Sequence, residues 1–131
     1  MHLPSEIEAR YAIPALRALI VRKLVKEHGF TQEAAAKAMG LTQAAVSNYL
    51  RGTRGVSLGW EDDEEVMRHV DAIVRLILAN ADKKEVLKRM NEALLDIREK
   101  GVLCNVHKKA EPEIDPEICD ICGIPRAGEA K

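Results

Sequence analysis

The stretch TQEAAAKAMGLTQAAVSNYLRG, residues 31–52, decides how the chain folds. Thr31 stands before QEAAAKAM, a run of strong helix formers, and its hydroxyl suits the N-cap, where a side-chain oxygen accepts from an otherwise orphaned backbone N–H. Gly40 follows the run and takes the left-handed conformation that stops a helix without steric cost. Thr42 then caps a second helix, Gln43 to about Leu50, which Gly52 ends. The pattern predicts two short helices joined by a tight turn. Ala35, Ala36 and Gly40 permit close crossing, while Met39, Leu41, Val46 and Tyr49 form the inward apolar set. Gln43, Ala44, Ser47 and Asn48 are left to face outward, a thin and neutral face of hydrogen-bonding and methyl groups.

Those side chains fit the edges of bases. Gln and Asn bond adenine in a bidentate way, Ser donates or accepts, and Ala touches a thymine methyl; a good bidentate pair contributes about 1–3 kcal/mol of discrimination. A neutral reading face is sufficient if phosphate attraction comes from elsewhere. Arg51 and Arg54, just past the helix, and Gln32 and Thr42, at helix starts, are placed to bind a phosphate backbone. On these residues the stretch resembles the helix-turn-helix of the lambda repressor and the wider Xre-type regulators. Together with EIEARYAIPALRALIVRKLV before it and RGTRG after it, it is similar to predicted archaeal transcriptional regulators with a cysteine-containing C-terminal extension. The resemblance covers about residues 5–55. It implies that Gln43 contacts a base in double-stranded DNA while Gln32 braces Gln43 and holds a phosphate.

Outside this motif the chain also reads as helices. Ser5 and Glu8 have capping-box spacing, and Pro14 suits a first turn, so a short helix over about 5–12 and a longer one over about 14–28 are expected. Leu16, Leu19, Ile20, Val21 and Leu24 recur at helical spacing on the longer one, with Arg17, Lys23 and Lys26 outside. Beyond a Gly-rich connection, Trp60 is expected to anchor the junction and EDDEE to favour a helix start. Val66, Val70, Ile73, Val74, Ile77 and Leu78 make one stripe; Val86, Leu87, Met90, Leu94 and Ile97 make another, after a second capping box at Asp82 and Glu85. These predict a helical hairpin. Only 3% of residues are aromatic against 47% apolar, which suits packed helices, so the expected fold class is all-α.

The last thirty residues differ. Helical periodicity ends, three prolines appear, and all three cysteines fall here. Cys104-x-x-His107 is followed by Cys119-x-x-Cys122-Gly123, and a two-residue gap lets one loop point both side chains of a pair at a single ion. A tetrahedral Zn site of three Cys and one His is the first reading; an iron–sulfur cluster on the three thiolates, with His107 or an outside ligand in the fourth position, is the alternative. His2, His28 and His69 read as surface or partly packed imidazoles.

The expected organisation is therefore a helix-turn-helix domain over 1–59, a helical hairpin over 60–101 that is a candidate dimerisation element, and a Cys/His metal-binding tail over 102–131. Net charge is −1 overall, but residues 1–59 carry eight Lys and Arg against four Asp and Glu, a surplus of +4, so a polyanion should meet the front half. That surplus is modest for a DNA-binding unit and points to a homodimer reading a palindrome. No run of about 18 apolar residues and no basic start before an apolar block occur, so neither a membrane span nor a signal peptide is expected, and the expected compartment is the cytoplasm. No nucleophile–base set or phosphate-binding Gly-rich loop is present, so an enzyme is not expected. The competing class is a helix-turn-helix that binds protein, as an adaptor or transcription coactivator. The sequence names no small-molecule effector.

Overall fold

A computed structural model describes residues 3–52 and 59–102. Its order is α1 (Pro4–Ile7), a π-helical segment (Glu8–Ala12), α2 (Ile13–His28), α3 (Gln32–Met39), α4 (Gln43–Arg51), a 3-10 turn (Trp60–Asp62), α5 (Glu64–Leu78) and α6 (Lys83–Glu99). No strand occurs among the described residues, so the all-α class holds.

The N-terminal region departs from the expected pair of separate helices. Helical backbone runs without interruption from Pro4 to His28, and the helix starts at Pro4 rather than at a Ser5–Glu8 capping box, with Glu6 accepting from the Leu3 N–H at 3.1 Å. Pro14 has no N–H to donate, and its ring would crowd the carbonyl four residues back. The chain meets this by widening one turn: Ile13 N–H reaches back five residues to the Glu8 carbonyl. A break was one way to accommodate the proline; a π-turn is another.

α2 is the central element. It packs against α3, α4 and α5, which explains why Ala15, Leu16, Ala18, Leu19, Ile20, Val21 and Leu24 are all buried, a broader face than one apolar stripe. Gly29 closes it with φ of 69°. Lys23 on α2 bridges to Asp71 on α5 at 2.6 Å. The hydrogen bond to Asp71 raises the Lys23 ammonium above its ordinary pKa, against partial burial.

Trp60 is buried, in the 3-10 turn that packs against α5. The hairpin begins at Asp63, whose Oδ1 accepts from the N–H groups of Glu65 and Val66 at 3.0 and 3.1 Å. Val66, Val70, Ile73, Val74 and Ile77 of α5 are buried, as are Val86, Met90, Ala93 and Ile97 of α6. Leu78 and Leu87, expected in the two core stripes, instead stand 42% and 57% exposed. Asp82 occupies the N-cap of α6 without a side-chain hydrogen bond to the helix, so the second capping box is also absent. His69 is not merely partly packed: its Nε2 lies 2.5 Å from Asp96 Oδ2 and ties α5 to α6. No described helix is long and apolar enough to cross a membrane.

Candidate nucleic-acid interface

The two motif helices owe their placement to local chemistry. Thr31 Oγ1 accepts from Ala34 N–H at 3.0 Å and Thr42 Oγ1 from Ala45 N–H at 3.1 Å, so each hydroxyl satisfies one N–H that a helix start leaves unpaired. Gly40, at φ of 64°, turns the chain between them, and Leu41 N–H bonds back to the Ala36 carbonyl at 2.8 Å. Ala35, Ala36, Ala45, Val46 and Tyr49 are buried, while Met39 and Leu41 pack half-buried against the same core. The two helices pack against each other, and the small residues Ala35, Ala36 and Ala45 are buried, as the sequence predicts.

One tertiary bond fixes the second helix further. Arg22 on α2 donates from Nη2 to the Tyr49 carbonyl at 3.2 Å, across 27 residues of sequence. Tyr49 lies in the last turn of α4, where carbonyls lack helical partners and a cation is favoured. Arg22 is thus a positioning residue for α4 that sequence reasoning missed. On a helical wheel it is one more cation interrupting an apolar run, and nothing local reveals which carbonyl it finds.

The outward face of α4 is as thin as its sequence suggests. Gln43 and Ala44 are exposed, and Ser47 and Asn48 are half-exposed. Thr42 and Arg51, at its two ends, are exposed, and Gln32 is half-buried at the start of α3. No hydrogen bond joins Gln32 to Gln43 among the described residues. Arg51 Nη2 instead donates to Asn48 Oδ1 at 2.7 Å. The bond couples Asn48 to Arg51 one turn further along the same helix. Arg54, and the metal candidates Cys104, His107, Cys119 and Cys122, lie outside the described residues.

Comparison with known families agrees with this geometry. Residues 21–59 match the family model described as helix-turn-helix, a span that contains the second half of α2 and all of α3 and α4. No curated protein and no solved structure matches the chain.

Proposed function

We propose that this helix-turn-helix chain is a sequence-specific regulator of transcription that binds double-stranded DNA, laying α4 in the major groove. The observation that carries the reading is the outward face of α4: Gln43, Ala44, Ser47 and Asn48 stand together on a helix whose other side is locked into the core by Val46 and Tyr49. Gln43 and Ala44 sit in its first turn, the part of a recognition helix that meets base edges. Gln32, Thr42, Arg51 and Arg54 supply phosphate contacts. The chain acts as a homodimer, because the front half carries a surplus of only +4 and two half-sites double its contacts.

The C-terminal segment adds a metal site. Three thiolates and one imidazole, as two pairs each with a two-residue gap, match the donor set of structural Zn; the same thiolates also suit an iron–sulfur cluster.

Binding to random and selected duplexes at several salt concentrations tests the reading. Gln43→Ala should weaken binding to the selected site more than to random DNA, whereas Arg51→Ala should weaken both by similar factors. Equal losses for both variants, or no salt-dependent affinity at all, would favour a protein-binding adaptor instead.

A further inference from the structure

α6 is apolar on two sides. Its inner side places Val86, Met90, Ala93 and Ile97 in the core, but Leu87 and Leu95 stand outside, 57% and 49% exposed. Exposed Asn91 lies midway between them, and the four-residue spacing puts all three on one face. Single exposed leucines are ordinary; two in register on one helix form a stripe. The charges of α6 are also unusual. Residues 83–90 carry four Lys and Arg against one Glu, a net of +3, and residues 91–99 carry three acids against one Arg, a net of −2. The helix dipole favours the reverse order, acids first and bases last.

One arrangement accounts for both features. We propose that α6 pairs antiparallel with α6 of a second copy, about a two-fold axis beside Asn91. In this register Leu87 of each copy packs on Leu95 of the other, since both lie four residues from the axis. On the flank of the seam, Lys88 meets Glu92 and Lys84 meets Glu99 across the two copies, so each basic half lies along an acidic half. A parallel pair would set the two +3 halves side by side. The two Asn91 amides meet at the centre, where each donates to and accepts from the other, and a polar group inside an apolar seam fixes register. Arg98 stays out of the seam, held by Glu8 of its own chain at 3.4 Å. The inference gives a surface to the homodimer proposed above and rests on that reading for its purpose, but its test does not need DNA.

Sedimentation equilibrium on the full chain supplies the test. Wild type should approach twice the 14.5 kDa of one chain as concentration rises. Leu87→Glu should weaken association by at least about 10-fold without loss of helical circular dichroism. Lys88→Glu should also weaken it, and adding Glu92→Lys should restore it, because the swap re-forms the same contacts with signs exchanged. A wild type that is monomeric throughout, a Leu87→Glu chain that associates as tightly as wild type, or a charge swap that fails to restore pairing overturns the proposal. Duplex binding by the same proteins separates the two readings. A monomer that still binds a selected site removes the seam and leaves the DNA reading standing; a dimer indifferent to DNA does the reverse.

Discussion

Arg22→Ala removes a side-chain bond that ties α2 to the last turn of α4. The guanidinium of Arg22 donates to the Tyr49 carbonyl at 3.2 Å. A hydrogen bond from a charged donor contributes about 1.5–3 kcal/mol. The low end applies here, because the same carbonyl keeps the Gly52 N–H at 3.3 Å and is not orphaned when Arg22 goes. About 1.5 kcal/mol is therefore expected. With a urea slope of about 1.5–2 kcal/mol/M, the unfolding midpoint should fall by roughly 0.8–1 M. Arg22→Lys keeps the charge but not the planar fork and should recover part of the loss. Far-UV circular dichroism in a urea series reads these shifts, and duplex binding in the absence of urea reads the consequence for α4. A midpoint for Arg22→Ala within about 0.2 M of wild type, or no difference in its affinity for a selected duplex, would refute the positioning role.

Thr31→Ala should cost about 1 kcal/mol through loss of the bond to Ala34 N–H, while Thr31→Ser should stay near wild type; thermal melts compare them. Acid unfolding should depend on Asp96. Burial raises its pKa, but the hydrogen bond from His69 and the charge of Lys100 outweigh this and hold it below the usual carboxylate range. A depressed folded value means that its stabilisation is present above the unfolded value of about 3.9 and is lost as pH falls through the folded one. Asp96→Asn should thus lower stability at pH 7 and flatten its decline below about pH 4, as followed by urea midpoints across pH. Protein purified without oxygen should carry about one zinc per chain and no visible absorbance if the Cys/His tail is a structural site. Iron with sulfide and a brown colour would instead identify a cluster.

The elements easiest to read in the sequence are those set by neighbouring residues. Thr31, Gly40, Thr42 and Gly52 act within one turn of themselves, so α3, α4 and the link between them stand where their spacing puts them. The π-turn before Pro14 was not legible, because a proline constrains the chain without dictating whether it breaks or widens. Leu87 follows Val86 directly, and both positions suit an apolar stripe; only the placement of α5 decides that Val86 turns inward. The exposed face of α4 follows from spacing. The Asn48–Arg51 bond and the reach of Arg22 to Tyr49 do not, since each depends on which rotamer or carbonyl the packed structure brings near.

Enrichment of bound sequences from a pool of random duplexes tests the central claim most directly, with wild type and Gln43→Ala run side by side. The account predicts that wild type enriches one motif, arranged as two inverted half-sites about one DNA turn apart. Gln43→Ala should lose preference at one base pair per half-site while keeping the rest. No enriched motif, or a motif unchanged by Gln43→Ala, would contradict the assignment of α4 as the helix that reads DNA.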